Sequence, residues 1–279
     1  MKAVYYKLRK EDKENISYHR KTFQEIDDIG FNILDNILGA KEKIENYKIP
    51  IRSILYRLLE LNDALSVMVK NSLITTAFPL LRSEFEIMIQ IIYILKDSDK
   101  IEQKALLYHY CNIRRINDHL NKEELNEFLD KHEYLKDIHK KYKDVDNIDK
   151  VNWYTTFEEK QTTFKKLCEI TGYSDFYEKI YSHLSADIHG TGCIELNTKY
   201  IEDKYYLLNF RTFKRDHTLM IYHIDFCRKV FLKFISVFTD NEDIRVKVQS
   251  FYEKSDEYIN LYHKLKGDDI LSYESEYSF

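Results

Sequence analysis

Only two prolines, Pro50 and Pro79, and six glycines interrupt a chain of 279 residues. β-Sandwiches and disordered tails depend on far more turn-forming residues than that. Most of what remains is Lys, Glu, Leu and Ile, residues that enter helices at little cost in rotamer freedom. The expected fold class is therefore all-α: a multi-helix bundle of about eight to nine helices, given ordinary helix lengths. The chain is long enough to bury a sizeable core. Residues 1–279 read as a single helical domain, with a subdomain boundary at the polar loop 143–152, KDVDNIDKVN.

Hydrophobic spacing places the elements. Phe23, Ile26, Phe31, Ile33, Leu34, Ile37 and Leu38 recur at helical intervals and predict one long helix over 14–47, weakened at Gly30 and Gly39. Pro50 suits the first turn of the next helix, where its missing N–H is not needed. Residues 73–96 are apolar nearly all round, which belongs in the centre of a bundle; Pro79 should kink this helix or lie in its first turn. Helices follow over 101–120, 122–142, 157–171 with a stop at Gly172, and 174–189 with Ser174 as its cap. Residues 193–210 alternate about a Glu-Asp-Lys turn and predict a small β-hairpin. Two long helices, 216–238 and 240–266, complete the chain.

Charge and cysteine usage narrow the function classes. A formal net charge of −4 argues against a dedicated duplex-DNA binder. Cys111, Cys168, Cys193 and Cys227 are widely separated with no CxxC, as expected of a protein in a reducing cytosol. The N-terminus lacks an apolar signal core. The greasiest stretch, 85–95, is too short to span a bilayer and is interrupted by Glu86 and Gln90. A cytoplasmic location and no membrane partner are expected. The greasy helices and a Tyr-rich tail offer material for a homo-oligomer.

Two constellations carry the candidate chemistry. On the central helix, Arg82, Glu84, Glu86 and Gln90 stand out against apolar neighbours. Arg82 and Glu86 are four apart and share a face. They read either as a buried ion pair that fixes register or as an arginine that meets an anionic group while Glu86 orients it. In Tyr181-Ser-His-Leu-Ser-Ala-Asp-Ile-His-Gly190, helical spacing aligns Tyr181, Ser185 and His189, with His183 and Asp187 on a neighbouring face. His189 reads as a helix-capping residue or as an acid/base and phosphate contact. If the two helices pack together, Arg82, Glu86, Tyr181, Ser185 and His189 form one polar pocket. His183–Asp187 has ligand-compatible spacing, and His217 with His223 less so, but there is no HExxH and no repeated ExxH, so no metal and no cofactor are expected. Phosphate-binding glycine loops are absent as well.

The segments LLRSEFEIMIQIIYIL, Trp153 and YSHLSADIHG resemble a large bacterial family of helical proteins of unknown function. Its pattern is Arg-x3-Glu on an apolar helix, an intervening Trp, and Tyr-x3-Ser-x3-His-Gly. The matching positions are Arg82, Glu86, Trp153, Tyr181, Ser185 and His189, and the likeness covers about residues 50 to 200. Such proteins are similar in outline to HEPN-like and abortive-infection proteins, many of them phage-defence effectors or toxins. That resemblance implies metal-independent RNA cleavage, with Arg82, Glu86, Ser185 and His189 as catalytic residues. Tyr181, His183, Trp153, Asn112, Arg114, Arg115 and His119 would line the binding surface. HEPN ribonucleases carry Arg-x(4–6)-His, matched here by Arg114…His119 and Arg211…His217; His189 itself has no arginine at that spacing. RNA and a cognate antitoxin or defence-system protein are the implied partners. The alternative is a non-catalytic helical sensor that binds a small anionic ligand or a partner protein.

Overall fold

The structure is a computed structural model that describes residues 10–36, 39, 45–71, 73–117, 120–143, 145, 152–158, 160, 162–181, 184, 198–201, 204–207, 216–238 and 241–274. Within them the chain is an all-α bundle. Its helices are α1 (Lys10–Asn36), α2 (Lys48–Lys70), α3 (Ile74–Ile94), α4 (Ile101–Ile116), α5 (Lys122–Asp130), α6 (Lys136–Tyr142), α7 (Trp153–Glu158) and α8 (Phe164–Thr171). A short α9 (Ser174–Phe176) runs into a π turn (Tyr177–Tyr181), and α10 (Asp216–Phe238) and α11 (Glu242–Glu274) follow. Among the described residues the sheet structure is a hairpin, β1 (Thr198–Ile201) antiparallel to β2 (Lys204–Leu207), with Thr198 opposite Leu207. It lies inside the span expected from sequence.

Burial explains the order of packing. α3 is apolar on nearly every side, and it lies between α2 and α10, with α4 and α8 against it as well. Leu81, Phe85, Met88, Ile89 and Tyr93 are fully enclosed. α1 covers α2 and α10, and α11 closes over α10 and α1. Gly30 has a packing role here: a Cβ on it would come within 2.4 Å of the Leu59 side chain, so the bare backbone lets α1 approach α2. Among the described residues no helix is long and apolar enough to cross a membrane.

Several expected boundaries shift. The single helix over 14–47 ends at Asn36, and Gly39 sits at φ +68°, which an α-helix cannot continue through. The expected 122–142 helix is broken. α5 starts at a capping box, Asn121 with Glu124, and the chain turns at His132, whose ring nitrogen meets the Phe128 carbonyl at 3.0 Å, before α6 begins. The expected 157–171 helix is also two pieces. Thr155 Oγ1 donates to the Thr162 carbonyl at 2.9 Å and Thr163 caps α8, so the threonines satisfy the backbone of the break. Gly172, at φ +86°, ends α8 as expected. Ser174 is not a side-chain cap; it is the first residue of α9, preceded by Tyr173. Pro50 lies in the first turn of α2, whereas Pro79 lies inside α3 rather than in its first turn. α11 runs on to Glu274, past the expected end at 266.

The C-terminus of α3 is held by a buried lysine. Lys104, on α4, is 1% exposed, and its Nζ donates to the Tyr93 carbonyl at 3.0 Å and to Asp97 Oδ2 at 2.7 Å. The ammonium lies 4.2 Å from the Tyr93 ring centre. A cation at a helix C-terminus satisfies orphan carbonyls and meets the negative end of the dipole. Tyr93 in turn donates its hydroxyl to Glu158 of α7. Replacing Lys104 by Met keeps the stem but leaves the Tyr93 carbonyl without its donor, while Asp97, 41% exposed, turns to water. Lys104→Met should lower stability by about 2 kcal/mol, read in a urea titration as a lower midpoint with an unchanged slope.

Candidate functional site

Arg82 and Glu86 lie one turn apart on α3, and Tyr181 reaches them from the π turn after α9. Arg82 Nε donates to Glu86 Oε1 at 3.1 Å, and its Nη2 donates to the Tyr181 hydroxyl at 2.8 Å. The same hydroxyl donates to Glu86 Oε1 at 2.6 Å. Three side chains thus close a triangle around one shared carboxylate oxygen. The guanidinium carbon sits 4.7 Å from the centre of the Tyr181 ring, within cation–π range. That ring is held by aromatic neighbours: Tyr177 at 4.9 Å, Phe164 at 5.0 Å and Phe85 at 5.8 Å.

The cluster is half-open to solvent, with the Arg82 side chain 22% exposed and that of Glu86 37%. Burial opposes charge on Arg82, but the Tyr181 bond and the Glu86 carboxylate outweigh it, so the guanidinium holds its proton more firmly than usual. Burial, reinforced by donation to Glu86, pushes the Tyr181 hydroxyl far above the ordinary phenol range. Tyr181 keeps its proton and donates a hydrogen bond to Glu86.

The polar stripe continues along α3. Gln90, one turn past Glu86, donates to the Glu86 carbonyl at 3.3 Å and accepts from the Trp153 indole at 3.2 Å. Trp153 is buried against Tyr93 and Tyr108. Burial, with help from the Glu86 charge, lifts the neighbouring Tyr154 hydroxyl to about 12. Burial likewise raises Tyr108, although a hydrogen bond with Asn112 pulls the other way. Arg115, exposed on α4, acts electrostatically on both tyrosines. Arg114 turns instead to the Tyr110 hydroxyl at 3.2 Å.

Of the residues expected from sequence, the structure joins Arg82, Glu86 and Tyr181 directly and links Trp153 to them through Gln90. Asn112, Arg114 and Arg115 lie along α4 and are engaged with its tyrosines. His119, His183, Ser185 and His189 lie outside the described residues, as does Arg211.

A second polar constellation, fully buried, escaped the sequence reading. Glu84, two residues from each member of the Arg82–Glu86 pair, points into the bundle and meets His223 of α10, Nδ1 lying 2.8 and 2.9 Å from its two carboxylate oxygens. His223 Nε2 is 2.8 Å from Asn62 Oδ1 on α2. Asn62 donates to Asp27 Oδ1 at 2.7 Å and to the Phe23 carbonyl at 3.1 Å, both on α1. Cys227 Sγ donates to Glu84 Oε1 at 3.3 Å. Glu84, His223 and Cys227 are each 0% exposed and Asn62 is 1% exposed. The network ties four helices together. Its sequence signals were Glu84, a charge on an apolar helix, and His223, weighed only with His217; nothing local paired the two, which lie 139 residues apart.

A buried bundle with a half-open Arg–Glu–Tyr triangle on its central helix is the class of protein defined by these features. Residues 48–204 match a family of unknown function, DUF5677, and the chain belongs to that family. Neither a search of curated proteins nor a search of solved structures found a match. The matched span runs from α2 into the hairpin and contains Arg82, Glu86, Trp153 and the Tyr181 motif; α1, α10 and α11 lie outside it.

Two outcomes follow. In a double-mutant cycle of Tyr181→Phe and Glu86→Ala, chemical denaturation should give a coupling energy of about 1 kcal/mol, because each single change removes one end of the same short hydrogen bond. Asp27, at the solvent end of the buried network, is half-buried, and burial raises its carboxyl above the ordinary value. The folded state therefore binds a proton more tightly there than the unfolded chain, so ionised Asp27 opposes folding near neutrality. Asp27→Asn should be more stable than wild type at pH 7, and the difference should shrink as pH falls through the carboxylate range.

Proposed function

We propose that this protein is a bacterial defence or toxin-type effector with a HEPN-like core that cleaves RNA without a metal ion at the reacting phosphate. The observation that carries the reading is the fixed Arg82. A guanidinium already held by Glu86 and stacked on Tyr181 loses little freedom on meeting a phosphate. The motif that contains Ser185 and His189 begins at Tyr181, the residue that touches Arg82.

In this mechanism Arg82 binds the scissile phosphodiester and offsets the charge that builds on it. His189 takes the proton of the ribose 2′-hydroxyl, whose oxygen attacks phosphorus. The bond to the 5′-oxygen breaks, and that oxygen takes up a proton, leaving a cyclic phosphate and a 5′-hydroxyl. Glu86 and Tyr181 position Arg82, and Ser185 positions the substrate. Trp153, Asn112, Arg114, Arg115, His119 and His183 would contribute to the RNA surface, where single strands stack on aromatic rings.

A second reading is a non-catalytic sensor for a small anionic ligand at the same arginine. It rests on the same half-open guanidinium, held in place by Glu86 and Tyr181.

The two readings separate in one experiment. Purified protein is incubated with single-stranded RNA in EDTA, beside Arg82→Ala and His189→Ala. Cleavage by wild type, absent for RNA with 2′-deoxyribose at the cut site and reduced at least about 100-fold in both variants, is the expected result. Folded wild type that leaves RNA intact while binding inorganic phosphate in an Arg82-dependent way gives the sensor instead. Equal cleavage by wild type and both variants removes the site altogether.

A further inference from the structure

The buried network around Glu84 is separate from the Arg82 cluster and plays no part in the reading above. Three donors of different chemical kinds converge in it: a carboxylate from α3, and an imidazole and a thiol one turn apart on α10. Their ligand atoms all lie within 4.8 Å of one another.

The surroundings dictate what the imidazole can offer. Both amide hydrogens of Asn62 are used, one by Asp27 and one by the Phe23 carbonyl. Asn62 therefore presents its oxygen to His223 Nε2, which must carry a hydrogen. Nδ1 is left facing both oxygens of Glu84 in a solvent-free interior. A bare lone pair is repelled by a carboxylate there, so a positive centre has to lie between them. A shared proton would serve. A divalent metal would serve as well: the Cys227 thiol already faces the same carboxylate, and a borderline-soft ion takes thiolate, imidazole and carboxylate together.

We infer that Glu84, His223 and Cys227 bind a zinc ion as its three protein ligands. The charges close: thiolate and carboxylate balance the dication around a neutral imidazole, so nothing uncompensated is buried. The distances are near what is required. Donor atoms around a tetrahedral zinc lie about 3.3–3.6 Å apart, and here Nδ1 to Oε1 is 2.8 Å, Sγ to Oε1 is 3.3 Å and Sγ to Nδ1 is 4.0 Å. Side-chain movements well under an ångström bring these into line. The outer contacts are those of a metal-binding histidine, whose second ring nitrogen donates to a fixed oxygen. The Phe23 ring, 5.0 Å from the imidazole, covers the site. Sealed in this way, the ion fastens α3 to α10 and is not a hydrolytic centre. Local spacing could not have predicted it, because one ligand is far away in sequence.

Metal content tests the assignment. The full chain is purified without chelators and analysed for zinc by mass spectrometry. A second preparation is grown in cobalt-supplemented minimal medium and examined for thiolate-to-cobalt absorption. Wild type should carry about one zinc per chain and show the cobalt–thiolate band. Cys227→Ser should fold yet lose the band, and Cys227→Ala serves as the second variant at that position. Folded wild type with no zinc and no band overturns the proposal and leaves a proton-bridged network. A band that persists in folded Cys227→Ser overturns it equally, because the metal then sits elsewhere. Neither result bears on RNA cleavage by Arg82.

Discussion

Polar groups on an otherwise apolar helix are the constraint around which this fold is organised. α3 is enclosed by four other helices. In that setting the fully buried Glu84 would be costly without a partner, and the part-exposed Arg82, Glu86 and Gln90 are paired too. The partners lie on different elements: Tyr181 on the π turn, His223 on α10, Trp153 on α7. The hydrophobic effect drives α3 to the centre, but any of several rotations would bury its apolar surface about equally. The polar pairs select one rotation and one set of neighbours.

Lys104 does the same at the helix end. It arrives from α4, closes the last carbonyls of α3 and pairs with Asp97. The contact fixes where α3 stops and where α4 begins its return. Tyr93 and Glu158 carry the arrangement on to α7. The Arg82 triangle thus stands on a rod whose centre, face and end are each pinned by a different neighbour.

Much of this was legible in the sequence, and what was not has physical causes. The helical class followed from the scarcity of turn residues. The stop at Gly172 and the hairpin near residue 200 followed from local chemistry. The Arg82–Glu86 pairing followed from spacing, and the approach of Tyr181 was read on the condition that its helix packs against α3. The breaks at His132 and between α7 and α8 were missed because their neighbours are good helix formers; only side-chain-to-backbone bonds from threonines and a histidine make interruption preferable. The buried Glu84 network was missed for a different reason. Its members come from α1, α2, α3 and α10, and helical periodicity says nothing about which distant helices meet.

Successive residues of an α-helix are rotated by about 100°, so Glu84 emerges about 200° away from Arg82. One short stretch of α3 therefore grips the interior with one hand and the solvent side with the other. Turning α3 about its axis to free Arg82 from Tyr181 would carry Glu84 away from His223 through the same angle, so the two contacts specify one and the same orientation of the rod.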